Sequence, residues 1–382
     1  MTSNLPKKLL LLLLPCLVAP LALADDVKIK RSGDEQNLSG RILEEPQDGS
    51  ILLQTKDGRI WELEKDEIVG IEKSKEEVEP LQPKELAKEL KRELGKEFRH
   101  HIAGDFVLVY NTEQDYARWI AGLYNKLNRG FKAFWKKRKL KLAAKSKFPL
   151  AVLIFKNRAE YDRYMKRDLG VVNPAMIAYY NFQNNRVAMF DLTSDVIPVR
   201  GNNKRNITEV LSNQRAIPMV ATVVHEAVHQ LMFNYGMQIR YADTPLWLNE
   251  GLAMYFETPD LKADRGWRKI GQVNFLRYQP FLQFLQNRPE NSLHDMIADD
   301  QTLRGEQAID HYGQAWAFTY FLIAKHEKNF VKYLKHLSQK RVLIFDSKEQ
   351  RIAEFEKFLE TDIASLDRDF VQYITSLNRV RR

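Results

Sequence analysis

Two histidines four positions apart enclose a glutamate in the run His225-Glu226-Ala227-Val228-His229. On an α-helix, residues i and i+4 stack on one face, so both imidazoles can reach a single cation. The flanking residues call for that helix. Pro218 suits a first helical position, Val220, Val223, Val224, Ala227, Val228, Leu231 and Met232 are apolar, and Gly236 is placed to end it. Two histidines and a glutamate on so apolar a helix are costly unless something pairs with them. Core histidines satisfied by hydrogen bonds are the ordinary alternative.

Glu250 weakens that alternative. It lies in Trp247-Leu248-Asn249-Glu250-Gly251, within a second apolar run that ends at Phe256 before Pro259. Thr244 is expected as its N-cap and Pro245 in its first turn. The interval from His229 to Glu250 lets the first helix finish and a second pack back across it. His225, His229 and Glu250 would then form a His2Glu site with an open tetrahedral position for water, as in a catalytic zinc site. Gly251 would let two helix backbones approach closely, at a cost of about 1 kcal/mol in helix propensity. A surface glutamate beside a flexible glycine is the plain alternative. Glu257, nearly two turns further on, is the less favoured ligand.

On these residues, together with Leu252-Ala253, the chain resembles the gluzincin metallopeptidases, in the form found in secreted bacterial members. The similarity is sharpest over residues 218–257 and extends in outline from about 100 to 380. It implies Zn2+ held by His225, His229 and Glu250, with Glu226 as general base, acting on a peptide or protein substrate. Thermolysin-like members carry an Asp shortly after the glutamate ligand to orient a histidine. Met254 occupies that region here, so the resemblance does not identify the orienting partner.

The chemistry stands on its own terms as well. Zinc acidifies bound water and polarises a carbonyl, and Glu226, next to His225, can take the water's proton and return it to a leaving amine. A developing oxyanion also needs a donor. His311-Tyr312-Gly313 precedes a helical pattern, where related enzymes often place a tyrosine. Tyr312 is the candidate and His311 the second choice; an aromatic packed at the start of a helix is the alternative to both. The family binds substrate along a sheet edge over the metal. Residues 178–182 and 186–191 read as two strands joined by Gln183-Asn184-Asn185, an edge to which an extended peptide could add. An ordinary hairpin without a ligand reads the same way.

The elements that position these groups follow from the rest of the chain. Residues 1–24 read as a signal peptide: Lys7 and Lys8, an apolar run, then Ala22-Leu23-Ala24 as a cleavage site before Asp25. That implies export to a periplasmic or extracellular space. The run is short and proline-interrupted for a membrane span. Cys16, the only cysteine, lies inside it after Pro15, which does not suit a lipoprotein cleavage site, so a lipid anchor is not expected. The cleaved chain has no thiol, in keeping with an oxidising compartment.

Residues 25–78 alternate β-prone runs with the hairpin dipeptides Asp48-Gly49 and Asp57-Gly58, which suggests a small SH3-like β domain for packing or interaction. Residues 79–96 read as a charged linker leading into a helix. Residues 97–382 read as one α+β, zincin-like metallopeptidase domain: strands at 106–111 and 150–155, helices at 113–138 and 158–167, the hairpin, the metal helix, and a helical half from about 260. Phe275, Phe281, Phe284, Trp316, Phe318, Tyr320 and Phe321 read as bundle core, and residues 191–206 as an exposed loop near the site.

The formal charge of +9 falls to +7 when Lys7 and Lys8 leave. Lys132, Lys136, Lys137, Arg138, Lys139, Lys141, Lys145 and Lys147, interleaved with Phe134 and Trp135, could meet an anionic envelope surface. More often such a run is the solvated face of a helix. Export makes nucleic acid a poor partner. Two other functions remain: a catalytically silent zincin scaffold that binds envelope proteins or peptides, and a metal hydrolase of non-peptide amides. An intact Glu226 argues against the silent scaffold, which has no need of a general base.

Overall fold

The computed structural model describes residues 23–31, 33–196, 207–261, 267–305 and 308–377. Residues 1–22 of the expected signal segment 1–24, with Cys16, and the loop tip Arg200–Arg205 lie outside them, while the segment's last two residues, Leu23 and Ala24, begin the first strand.

Five antiparallel strands form the N-terminal sheet: β1 (Leu23–Arg31), β2 (Asp34–Glu44), β3 (Ile51–Thr55), β4 (Ile60–Leu63) and β5 (Ile68–Glu77), in the order β4-β3-β2-β1-β5. Period-two alternation builds its small core: Val27 and Ile29 point inward with Ile51, Leu53 and Leu63, while Lys28 and Lys30 face water. Both Asp-Gly turns are as expected, with Gly49 and Gly58 at φ +82° and +87°. The charged stretch that follows does more than link. Glu85 and Gln82 close a capping box, and α1 (Pro83–Leu94) buries Leu86, Ala87 and Leu90 in the main core.

The main sheet runs β6-β7-β8-β10-β9, from β6 (Arg99–Ala103), β7 (Phe106–Tyr110), β8 (Leu150–Phe155), β9 (Ala178–Asn181) and β10 (Arg186–Phe190). The central strands β7, β8 and β10 are parallel and entirely buried, as continuous apolar runs require, while β6 and β9 are antiparallel edges. Helices α2 (Gln114–Lys137) and α3 (Arg158–Leu169) connect the strands. In α2, Phe131 and Trp135 are fully buried, and Phe134 packs on Phe256. The exposed lysines that follow are therefore the outer face and exit of a core helix, with Lys132 beside Asp105 and Arg138 in an ion pair with Glu327.

The segment after β10 departs from expectation at its start. Asp191 and Leu192 are buried rather than exposed, Asp191 accepts hydrogen bonds from the Thr112 and Thr193 hydroxyls, and a short α4 (Thr193–Val196) follows. After α5 (Ile207–Leu211), α6 (Ile217–Asn234) carries both motif histidines and ends where Gly236 turns left-handed at φ +75°.

The helical half comprises α7 (Leu246–Phe256), α8 (Phe275–Phe284), α9 (Ser292–Ala298), α10 (Ala308–Lys325), α11 (Glu327–Leu337), α12 (Lys348–Leu359) and α13 (Ile363–Ser376). Phe281, Phe284, Trp316, Phe318 and Phe321 are buried in its core, as expected, whereas Phe275, on the first turn of α8, is exposed and Tyr320 is half-buried. The start of α7 is built differently from the sequence expectation. Pro245 is the N-cap, and the free Leu246 N–H is satisfied by Asp300 Oδ1 at 2.9 Å, while Thr244 Oγ1 is buried with no partner among the described residues. The fold is thus mixed α+β, with an N-terminal β sheet and a helical C-terminal half. Among the described residues, no helix is long and apolar enough to cross a membrane.

Candidate metal centre

Helix α6 presents its histidines one turn apart, with ring centroids separated by 4.6 Å and the two Nε2 atoms by 3.0 Å. Helix α7 brings Glu250 against them: Oε2 lies 3.1 Å from His225 Nε2, and Oε1 3.5 Å from His229 Nε2. Among the described residues, these are the one group of three potential ligand atoms from His, Cys, Asp or Glu that converge, all within 4.8 Å of one another. Two facing imidazole nitrogens and a carboxylate can share one proton only imperfectly, whereas one cation satisfies all three lone pairs. The donor set therefore fits a bound metal ion.

Each outer ring nitrogen is held from behind. His225 Nδ1 lies 2.9 Å from Glu257 Oε2, and His229 Nδ1 3.1 Å from Asn249 Oδ1. With Nε2 turned to the shared point, the hydrogen-bond network places the ring hydrogen on Nδ1 of both. Glu257 is fixed in turn by Arg277 Nε at 2.7 Å and Asn274 Nδ2 at 3.0 Å, both from the α8 end of the following segment. This chain supplies the orienting carboxylate for which Met254 offers no candidate. Glu257 is a hydrogen-bond partner of His225 rather than a member of the converging group, and it is fully buried.

Gly251 has the packing role expected of a small residue, but toward another helix. A Cβ there would stand 2.2 Å from Thr319 Oγ1 and 2.6 Å from the Ala315 carbonyl oxygen of α10. The close approach of α7 to α10 sets the height of Glu250 beside it.

Glu226 faces the same opening. Its Oε2 accepts a hydrogen bond from the Tyr180 backbone N–H at 2.8 Å, which ties the motif helix to strand β9. Burial pushes Glu226 up to about 7. Burial opposes the charge on His225, yet Glu250 and Glu257 outweigh it and hold its pKa up to about 10. Burial, helped by that neighbouring charge, pushes His229 down to about 4. In the metal-free chain the shared proton therefore sits on His225, between its two carboxylates.

These groups lie in a cleft of about 770 Å³. Ala178, Tyr180 and Phe182 form one wall; His225, Glu226, His229 and Phe233 form the floor; Glu250, Arg277, Ile309 and Tyr312 form the other wall. Tyr312 thus shares the cleft with all four motif residues. Burial and the Glu250 carboxylate raise its phenol pKa, so it remains a hydrogen-bond donor at neutral pH. His311 does not share the cleft: it is buried against Phe284, 5.5 Å between centroids, and drops out as an oxyanion donor.

Four contributors escaped sequence reading: Asn249, Asn274, Arg277 and Glu257 as an orienting group. Glu257 carried a signal, since seven residues return a helix to nearly the same face as Glu250. Asn274 and Arg277 reach the site only through tertiary folding.

A family model described as "Protein of unknown function (DUF1570)" matches residues 219–343, from the start of α6 to just beyond α11. The matched segment contains His225, Glu226, His229, Glu250, Glu257, Arg277 and Tyr312. No curated protein matched the chain.

Proposed function

We propose that this chain is an exported zinc metallopeptidase with a zincin-like, gluzincin-type domain. The observation that carries the proposal is the convergence of Glu226 and the His225–His229–Glu250 donors on one cleft beneath a sheet edge. Zinc is the favoured ion on two grounds. An N2O donor set with histidine partners held from behind suits it, and tetrahedral bonds near 2.1 Å put donor atoms about 3.4 Å apart. Here the two Nε2 atoms are 3.0 Å apart, and Glu250 reaches His225 with Oε2 at 3.1 Å and His229 with Oε1 at 3.5 Å.

When bound, zinc supplies Lewis acidity, which acidifies water and polarises a substrate carbonyl. The residues do the rest. A cation beside Glu226 favours its ionised form, so its carboxylate can accept a proton from the attacking water and hand it to the leaving amine. Tyr312 O–H donates toward oxyanion charge from the opposite wall. Glu257 and Asn249 keep the two imidazoles aimed. Because Tyr180 N–H points away from β10, the backbone groups of Ala178 and Tyr180 alternate outward on the free edge of β9. An extended peptide can pair with the groups Glu226 leaves open.

The export half of the proposal rests on the basic, apolar and small-residue order of residues 7–24. The decisive experiment is a proteome-derived peptide-library digest with the zinc-loaded wild type and Glu226→Gln. Cleavage by the wild type alone supports the peptidase. A zinc protein that cleaves nothing points instead to the silent scaffold.

A further inference from the structure

The N-terminal sheet meets the rest of the chain at the hairpin that forms the cleft wall. Strand β4 is the sheet's edge, and its Ile60 N–H donates to the Gln183 carbonyl, in the turn between β9 and β10, at 2.7 Å. Glu62, two residues along, accepts from Gln183 Nε2 at 2.6 Å and from Tyr241 O–H at 2.5 Å, both at Oε1. Tyr241 follows the motif helix and packs edge-on against Phe182, 5.2 Å between centroids. Its neighbour Arg240, buried, donates to the Phe182 carbonyl at 2.9 Å.

A second attachment lies at the base of β10. The Asp57-Gly58 turn seats on Phe148, where any Cβ on Gly58 would fall 2.9 Å from the ring. Asp57 Oδ2 stands 3.8 Å from the buried Arg186, which also pairs with Glu93 at 2.8 Å. Strand β9 is short and paired on one side only, and from its own side its turn is held at Asn184, by Asp168, and at Asn185, by Gln230 and Asn234. At Gln183, the end of the turn next to β9, the holding bonds come from another sheet, one from its backbone and one from a side chain.

We propose that the N-terminal sheet is a brace for the cleft: β4, through Glu62 and Ile60, fixes the β9–β10 turn and so the height of the β9 edge above Glu226. Glu62 is a positioning residue in this scheme. It acts through Gln183 on the strand three residues away, whose Tyr180 N–H is bonded to Glu226. The kinetic consequence rests on the peptidase reading; the mechanical one does not.

The test uses the full chain and three variants. Glu62 is exposed, so Glu62→Ala leaves the fold intact while removing both bonds, whereas Glu62→Gln keeps the accepting oxygen. Gln183→Ala removes the side-chain bond alone. Hydrogen exchange is followed by mass spectrometry in peptides spanning residues 178–186, with α6 peptides as the internal control. Loss of one or two hydrogen bonds should speed exchange in 178–186 by about three- to tenfold in Glu62→Ala, less in Gln183→Ala and hardly at all in Glu62→Gln. With a peptide substrate, Glu62→Ala should raise KM by a similar factor and leave kcat and zinc content near wild type, and Glu62→Gln should restore KM. Unchanged exchange at 178–186 in Glu62→Ala overturns the brace, whatever the activity. Faster exchange with an unchanged KM overturns its link to substrate binding. A wild type that cleaves no peptide overturns the peptidase reading alone, since exchange still decides the brace.

Discussion

His225 Nδ1 and Glu257 Oε2 are 2.9 Å apart, and the carboxylate that makes this contact is itself clamped by Arg277 and Asn274. The contact joins the motif helix to the far end of α7 and, through Arg277, to α8. It fixes the orientation of the imidazole and, with Nε2 turned toward the shared point, its tautomer.

Removing that carboxylate should cost metal affinity with the ligands themselves intact. Glu257→Ala is expected to weaken zinc binding by about 10–100-fold, and Glu257→Gln, which keeps an acceptor oxygen, by less. Competition against a chromophoric chelator measures both. Wild-type affinity in Glu257→Ala would show that the contact orients nothing.

The proton held by His225 gives the site a pH dependence with a definite sign. A metal can take Nε2 only from the neutral ring, and the metal-free ring holds its proton up to about pH 10. Affinity should therefore rise with pH, about tenfold per unit across pH 7–9, and fall as the medium is acidified. Stability of the metal-free protein should run the other way. His225 is raised above its unfolded value near 6.5, so its contribution is complete below that value and is lost as pH rises toward 10. Chelator competition and thermal melts of metal-free protein at pH 7, 8 and 9 report the two slopes; a flat affinity profile would place the proton elsewhere.

Much of this site was legible because its signals are local. The i,i+4 histidine pair, the apolar run around it and the terminating Gly236 each sit within one helix, and β7 and β8 are continuous apolar runs. The misses share a cause. Asp300 caps α7 from 54 residues away, and Arg277 holds Glu257 from 20 away, separations at which a single sequence shows no periodicity. Strand β6 was hidden by Arg99, His100 and His101, which its edge position tolerates and a central strand would not.

Gly251 tests the packing that sets Glu250 in place. A methyl group there meets a backbone carbonyl oxygen at 2.6 Å, so α7 and α10 must separate. Gly251→Ala should destabilise the fold by about 1–2 kcal/mol: contacts this short put the overpacking cost in the upper part of its range, about 2–3 kcal/mol, and about 1 kcal/mol of helix propensity offsets part of it. Urea unfolding of the metal-free protein gives the number. A variant as stable as wild type would mean the contact is loose.

Signal cleavage after Ala24 would remove the first two residues of β1, Leu23, which pairs with Glu77 of β5, and the fully buried Ala24, and would spare the β1–β2 ladder. The β1–β2 ladder begins at Asp25 opposite Gly40, and the Asp25 carboxylate accepts the Ile42 N–H at 3.1 Å, so loss of residues 1–24 leaves that pairing whole. The mature protein should begin at Asp25. N-terminal sequencing of native material decides it: Met1 would refute processing, and a lipidated Cys16 would indicate an anchored protein.

The catalytic proposal turns on Glu226 and Tyr312. In Glu226→Gln the amide oxygen can still accept the Tyr180 N–H, so the tie to β9 and the fold should survive, but the side chain can no longer take a proton from water. Zinc content should stay near wild type while hydrolysis falls by about 10²–10⁴-fold, or roughly 3–5 kcal/mol of barrier. Tyr312→Phe removes the hydroxyl and keeps the ring, and should lower kcat by about 10²–10³-fold if that hydroxyl meets the oxyanion. Its ring lies in a cleft wall rather than in the core, so a purely packing role would leave kcat unchanged. Both variants are compared with wild type on one peptide substrate, with zinc content and circular dichroism measured in parallel. Full activity in Glu226→Gln would leave the metal site standing and remove Glu226 from the proton's path.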